Sequence, residues 1–380
     1  MYGTQDAAAI WQQTWAEHLA KHGYRTGSAN PALFAGRGAR GLCHGDDFCV
    51  VAARVVLEQF GRMLAEAFDV KQTGLLDFDA AGADEMKMLN RTLRLDNARR
   101  VVSIEPEERH VQTMVSDLGL GSARAAATPR TALTEEQAWD DETSELLSPR
   151  LASLYRSVTM RAAYLSQDRV DITEAVKCLA RHMAKPRLGH MVRLKRLCRY
   201  LQGRPRTRLE YHEQDARGAR LLCHVDSDWA GEQTQRRSTS GMVLRRGGHL
   251  LRHSATVQST VGLSSGEAEF YALTKGAAHG LGTQAAFKDI GLEVALTVFS
   301  DSSAARSMAS RRGLGRCRHV QTRFLWLQER VALGHLRLAT VAGTANVADL
   351  LTKSLPSTRS APYVAELGQT TWTPHSATWD

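Results

Sequence analysis

Four acidic residues in the second half of the chain have the types, order and contexts that metal-assisted hydrolysis of a phosphodiester requires. Asp226, in HVDSDWAG (residues 224–231), ends the apolar run Leu-Leu-Cys-His-Val. Glu269 lies within SSGEAEFYAL, Asp301 ends LTVFSD, and Asp349 sits in GTANVADLL. Two divalent cations roughly 4 Å apart activate water and stabilise the leaving oxygen in such reactions. Mg²⁺ takes oxygen ligands and keeps several waters, so a few carboxylates suffice. They must stand on strand ends and helix faces, because rigid elements place side chains better than loops do. The apolar runs before Asp226 and Asp301 read as strands, and Glu269 follows the first turn of a helix. Taken singly, each acid also fits an ordinary role. Asp is common in turns, Glu267 and Glu269 suit a helix N-terminus, and Asp349 fits an exposed surface.

The elements around these acids form a regular succession from about residue 218. Strands are expected at 220–226, 241–246 and 249–254, then a helix at 264–280 and a strand at 295–300. Helices at 302–311 and 318–332, a strand at 335–341 and a helix at 344–352 complete an α/β unit with a mixed sheet. Earlier, helical spacing marks 5–23 and the segment ARVVLEQFGRMLAEAFDV, with a hairpin across GLCHGDDFCVVAA between them. MKMLNRTLRL and RRVVSIEP read as strands and PEERHVQTMVSDLG as a helix. Helices follow at 148–166, 171–184 and 187–203. Residues 126–147 have linker composition, and the polar tail 357–380 is expected to be loosely ordered.

The 380 residues carry 49 Lys and Arg against 40 Asp and Glu, a formal charge of +9, which favours a polyanionic partner. No stretch is long and apolar enough for a membrane helix. The N-terminus lacks the charged leader and apolar core of a secretory signal. The six cysteines show neither paired CxxC spacing nor a zinc-ligand pattern, as expected of an intracellular protein, cytoplasmic or nuclear. Residues 187–203 concentrate basic side chains, among them Arg193, Lys195, Arg196 and Arg199, that can follow a phosphate backbone. The same helix also reads as an amphipathic face that buries Met191, Leu194, Leu197, Cys198 and Leu201. Arg236 and Arg237, with Arg245, Arg246 and Arg252, are further candidates for nucleic-acid contact. Ser264, Ser265 and Ser302 suit either 2′-hydroxyl contacts or helix caps.

The wording of residues 224–273, from HVDSDWAGEQTQRRSTSG through LSSGEAEFYAL, is similar to the ribonuclease H domain of copia-type (Pseudoviridae) retrotransposon polyproteins. That family reads D-A-D-W-A-G, R-x-S-T-S-G and L-S-S-x-E-A-E-Y. The likeness continues through VFSDSSAARSMA and RHVQTRFLWLQERVALGHLRLATVAGTANVADLLTKSLP. Further upstream, MYGTQDAAAIWQQTW, SANPALF and LYRSVTMRAAYL resemble reverse-transcriptase and connection segments of the same polyproteins. HGDDF resembles the Y-V-D-D hairpin that binds polymerase metals, with His44 and Gly45 replacing Tyr and Val.

The resemblance implies a ribonuclease H-like α/β fold, a mixed β-sheet with flanking helices, preceded by a partial reverse-transcriptase palm, thumb and connection region. It implies a division into 1–125 (partial reverse transcriptase), 126–147 (linker), 148–212 (helical connection), 213–356 (ribonuclease H-like) and 357–380 (tail). Asp226, Glu269, Asp301 and Asp349 would be both the catalytic residues and the ligands of two Mg²⁺ or Mn²⁺ ions. Glu267 and Asp228 would be neighbours, and His319 a phosphate contact, helix cap or catalytic part. Trp326 or a neighbour stands where the family has a second His. The substrate implied is an RNA–DNA hybrid, with water attacking the scissile phosphate to leave a 3′-hydroxyl and a 5′-phosphate. Asp46 and Asp47 would be vestigial polymerase ligands. The first metal-binding aspartate of the palm has no counterpart here, since Asp6 falls at a helix position, so this chain is not expected to polymerise alone. Two other readings stand beside this one: a decayed or domesticated element that binds nucleic acid without catalysis, and a metal-dependent DNA nuclease of the same fold.

Overall fold

The computed structural model describes residues 6–78, 85–214, 220–231, 235–315 and 317–372. Met1–Gln5 of the first reverse-transcriptase-like segment, Glu232–Thr234 of the Trp-Ala-Gly motif and Thr373–Asp380 of the tail lie outside them. The chain opens with α1 (Ala7–Lys21), β1 (Arg25–Thr26), β2 (Leu33–Gly36), β3 (Ala39–His44), β4 (Asp47–Val51) and α2 (Arg54–Ala65). The four strands pair antiparallel in sequence order. Trp15 and Leu19, four apart on α1, meet Phe34 and the α2 residues Phe60 and Leu64 in one apolar cluster.

The middle of the chain runs through β5 (Glu85–Met88), β6 (Arg91–Asp96), β7 (Val101–Pro106) and α3 (Arg109–Asp117). It continues with α4 (Glu135–Thr143), α5 (Pro149–Leu165), α6 (Thr173–Ala180), α7 (Leu188–Gln202) and β8 (Thr207–His212). The single strand expected across MKMLNRTLRL is instead two. Leu89 and Asn90 have φ of +49° and +60°, the double left-handed geometry that folds a tight hairpin. Helices α3, α5, α6 and α7 share a core around Met114, Tyr155, Leu194 and Leu197.

Parts of two segments expected to lack structure are folded. In the expected linker, Thr134 caps α4 in a reciprocal capping box with Gln137. The expected loose tail forms α11 (Ser357–Glu366) and β14 (Gln369–Thr371), and β14 pairs with β8. Its Ser, Thr and Pro content resembles a loop, but Tyr363 and Leu367 are buried against Val170, Leu209 and Leu350 and anchor it. The resulting sheet, β14-β8-β7-β6-β5, draws strands from three stretches that the sequence assigned to separate regions.

The third part consists of β9 (Leu221–Asp228), β10 (Thr239–Arg246), β11 (His249–Val257), α8 (Ser265–Asp289) and β12 (Leu296–Ser300). After them come α9 (Ser303–Ser310), α10 (Trp326–Ala332) and β13 (Arg337–Thr340). Its sheet has the order β11-β10-β9-β12-β13, antiparallel across the first three strands and parallel from β9 through β12 to β13. This is the mixed sheet with flanking helices expected of a ribonuclease H-like domain. The helix expected at 318–332 is shorter, a 3₁₀ turn at Thr322–Leu325 running into α10. The one expected at 344–352 is two 3₁₀ turns, Gly343–Ala345 and Val347–Leu351.

Alternation along β9 turns Leu221, Cys223 and Val225 into the core under α8. Helix α8 lies close on the strand because Gly276 carries no side chain; a Cβ there would come 2.3 Å from Val225 Cγ1. At its other end, the Asp289 carboxylate accepts the backbone N–H groups of Ser28, Ala29 and Asn30. Arg40 Nε also donates to the Ile290 carbonyl at 2.8 Å, so the N-terminal unit is fastened to the end of α8.

Candidate metal centre

Asp226 sits on β9 opposite Gly241 of β10, on the sheet face that the Val347–Leu351 turn covers. A Cβ on Gly241 would meet Thr352 Cγ2 at 2.8 Å and the Ala348 carbonyl at 3.0 Å, so this turn can lie on the sheet only over a glycine. Asn346 fixes it further, donating from Nδ2 to the Val225 carbonyl at 2.9 Å and accepting the Ala348 N–H. Glu269 projects from the second turn of α8, which Ser264 caps. Asp301 follows the last residue of β12.

One carboxylate oxygen each from Asp226, Glu269 and Asp301 lies within 4.8 Å of the others. Glu269 Oε1 accepts the Ser227 N–H at 3.1 Å, while its Oε2 is buried without a hydrogen-bond partner. Burial and the adjacent Asp226 and Asp301 carboxylates push Glu269 up to about 8. Burial likewise raises Asp226 to about 6, against the pull of Lys353 and Thr352. An all-oxygen set fits a hard divalent cation, whose charge would relieve both the orphaned carboxylate oxygen and the mutual repulsion.

Asp349 is buried but stands outside that close trio. Its Oδ1 accepts from Lys353 Nζ at 2.5 Å and its Oδ2 from Arg359 at 2.6 Å. The Lys353 ammonium also reaches Asp226 Oδ1 at 3.2 Å, and the Thr352 hydroxyl donates to Asp226 Oδ2. Asp226 and Asp349 thus share one ammonium. Burial lowers the basicity of Lys353, but the two carboxylates outweigh it and raise its pKa. Lys353, Thr352 and Arg359 escaped the sequence reading. The available signal for Lys353 was its place four residues after Asp349, where charges on a helical turn meet.

The neighbouring acids are engaged elsewhere. Glu267 accepts from the Leu263 N–H, from the Tyr271 hydroxyl and, at 2.8 Å, pairs with His319 Nε2. Burial opposes its ionisation, yet these bonds prevail and lower its pKa. His319 therefore supports the α8 N-terminus through Glu267, and Trp326 packs against the domain core. Asp228 accepts the Thr239 N–H. Asp46 and Asp47 are exposed in the β3–β4 turn, where the Trp11 indole donates to the Gly45 carbonyl at 2.6 Å. Among the described residues no third acid gathers with them.

The basic residues of α7 divide. Arg193 pairs with Asp141, Arg196 donates to Thr128 Oγ1 at 3.0 Å, and Arg199 donates to the Arg124 carbonyl at 2.7 Å. These three tie the 124–141 stretch onto the helix, while Lys195 is exposed. Arg236 is exposed and Arg237 half-buried just before β10. Beside α8, a cleft of about 380 Å³ is lined by Ser259, Thr274, Lys275, Arg323, Phe324 and Trp326.

Comparison with known proteins places these features in context. The chain is 23% identical over 378 residues, 97% of its length, to a retrovirus-related Pol polyprotein from transposon RE1 of Arabidopsis thaliana. It is 22% identical over 366 residues to the corresponding polyprotein of transposon TNT 1-94 of Nicotiana tabacum. It covers 24% and 27% of those proteins, so it spans about a quarter of the length of the curated relatives it matches. No protein-family model matches. Among solved structures, the N-terminal RNase H domain of Rv2228c from Mycobacterium tuberculosis aligns over 39% of this chain, with 16% identity and a TM-score of 0.25.

Proposed function

We propose that the chain, similar over nearly its whole length to Pol polyproteins of copia-type retrotransposons, carries the C-terminal part of a reverse transcriptase followed by a ribonuclease H domain and hydrolyses the RNA strand of RNA–DNA hybrids. The observation that carries this reading is the convergence of Asp226, Glu269 and Asp301 from three separate elements around the unpartnered Glu269 oxygen. These residues would hold Mg²⁺ or Mn²⁺, with Asp349 completing the set. Bound there, two such ions would supply the activation of water and the stabilisation of the departing 3′-oxygen. The chain's own part is to hold the scissile phosphate against the carboxylates and to keep β9, β12 and α8 in fixed register. Lys195, Arg236, Arg237 and the Lys275–Arg323 cleft would take the phosphates of the duplex. Arg193, Arg196 and Arg199 would contribute mainly by holding the 124–141 stretch.

The division of labour follows the same reading, with residues 6–78 as the remnant of the palm hairpin region and the nuclease around β9–β13. Polymerisation is not assigned, because Asp46 and Asp47 stand without a third acid among the described residues. That exposed pair favours one alternative, a decayed element that binds nucleic acid without cutting it. The test is cleavage of an end-labelled hybrid in Mg²⁺ by the wild type, Asp226→Asn and Asp301→Asn. The nuclease reading expects wild-type products with 5′-phosphate ends and loss of at least ~100-fold in each variant. Hybrid binding without cleavage in all three proteins would establish the non-catalytic alternative.

A further inference from the structure

The carboxylates of the candidate centre fall into two halves with opposite provision for positive charge. On one side, Glu269 Oε2 is buried without a partner, and neither Glu269 nor Asp301 is paired with a basic side chain among the described residues. On the other, Asp226 and Asp349 already share one, the Lys353 ammonium, at 3.2 and 2.5 Å. The second Asp349 oxygen is held by Arg359 at 2.6 Å. Asp226 and Asp349 are almost fully buried. Two carboxylates this deep and this close would repel strongly without a cation between them.

Lys353 is suited to leave as well as to stay. Its side chain is 43% exposed, so the flexible stem can carry the ammonium to water without unfolding anything. It stands four residues after Asp349, just past the 3₁₀ turn that carries that acid, so its return needs only side-chain rotation.

We infer that Lys353 is a resident counter-ion of the metal-free centre, and that a divalent cation shared by Asp226 and Asp349 binds only by displacing it. This rests on the reading of the four acids as cation ligands. The two ion positions are then unequal. A cation held by Asp226, Glu269 and Asp301 meets Lys353 at Asp226 alone, whereas one bridging Asp226 and Asp349 competes with the tethered ammonium at both of its ligands. Lys353 acts as a positioning residue, spacing the carboxylates when no metal is present and setting the affinity of the second ion.

The test is calorimetric titration of the full chain with Mn²⁺, comparing wild type, Lys353→Met and Lys353→Arg, together with melting of each protein in EDTA. The wild type is expected to show a tighter and a weaker event. Lys353→Met should tighten the weaker event about tenfold and lower the melting temperature in EDTA, while Lys353→Arg stays near wild type in both. Lys353→Gln, which keeps the polar end without the charge, should behave as Lys353→Met and serves if the Met variant folds poorly. Equal Mn²⁺ affinities in wild type and Lys353→Met, or an unchanged melting temperature in EDTA, would overturn the inference alone. Mn²⁺ binding by neither protein would overturn the metal-centre reading and the inference with it.

Discussion

At the scale of single residues, the centre is defined by how unevenly its acids are neutralised. Glu269, pushed up to about 8, binds a proton in the folded chain over a range where the unfolded chain has released it. Its contribution to stability therefore falls as pH rises from about 4.3 to 8. In EDTA, the Glu269→Gln protein should melt above the wild type by ~2–4 °C at pH 8.5, and the gap should close at pH 5. The difference between the two proteins is the useful reading. His182 and His224, which burial depresses to about 3 and about 4, destabilise the fold from the acid side in both. Adding Mg²⁺ should reverse the sign at pH 8.5, because Gln at 269 lacks the charge that a cation would use. On the basic side, charge reversal of Lys275 and Arg323 should weaken hybrid binding and flatten its salt dependence by about two phosphate contacts. A filter-binding series across ionic strength reads both changes. The nearness of Asp226, Glu269 and Asp301 was legible in the sequence because strand ends and a helix turn fix their setting, whereas Asp349 was expected on a helix and stands on a 3₁₀ turn outside that trio. Lys353 and Arg359 were not legible: beyond the four-residue spacing from Asp349 to Lys353, the link of Lys353 to Asp226 and of Arg359 to Asp349 arises only when the 343–359 stretch folds against β9.

Among elements, two glycines determine how closely the site's supports approach one another. Gly276 lets α8 lie on β9, and Gly241 admits the Asp349 turn to the opposite face. Gly276→Ala gains helix propensity of about 1 kcal/mol but forces a methyl into buried Val225, an overpacking that costs ~1–3 kcal/mol. Denaturant unfolding should show a net loss. The Gly241→Val protein should retain its α8 side, so one Mn²⁺ still binds, while the event that needs Asp349 disappears from the titration. Most strands and helices of the β9–β13 unit were readable from alternation and apolar spacing. The expected helix at 344–352 failed because its apolar run, Val347, Ala348, Leu350 and Leu351, is buried nearly all round and carries no helical period. The hairpin within MKMLNRTLRL escaped because neither of its turn residues is Gly, and Leu89 pays for a left-handed backbone with local strain.

For the whole molecule, the sheet joining β5–β8 to β14 is what a linear division of the sequence could not anticipate. Composition marks 126–147 and 357–380 as spacers, yet α4 in the first and α11 with β14 in the second are folded, α4 with a local cap and β14 by pairing with distant β8. Leu367 is 1% exposed and packs with Leu209 and Tyr363. Leu367→Ala should therefore cost about 2–4 kcal/mol in chemical unfolding, far more than substitution in a loose tail. The transition should remain a property of the β14-β8-β7-β6-β5 sheet as well as the β9–β13 unit, so loss of near-UV signal and of Mn²⁺ binding should occur together.

Helix α8 gives the molecule a built-in ruler. Glu269 near its start and Asp289 at its end are 20 residues apart, about 30 Å along the axis, and Asp289 is where the hairpin unit is fastened. At 3.4 Å per step along a nucleic-acid strand, that length corresponds to about nine base pairs. A duplex laid along α8 would therefore meet the Asp226, Glu269 and Asp301 carboxylates and the N-terminal hairpin unit at a separation set by one helix, and shortening or lengthening that helix by whole turns would change the footprint in steps.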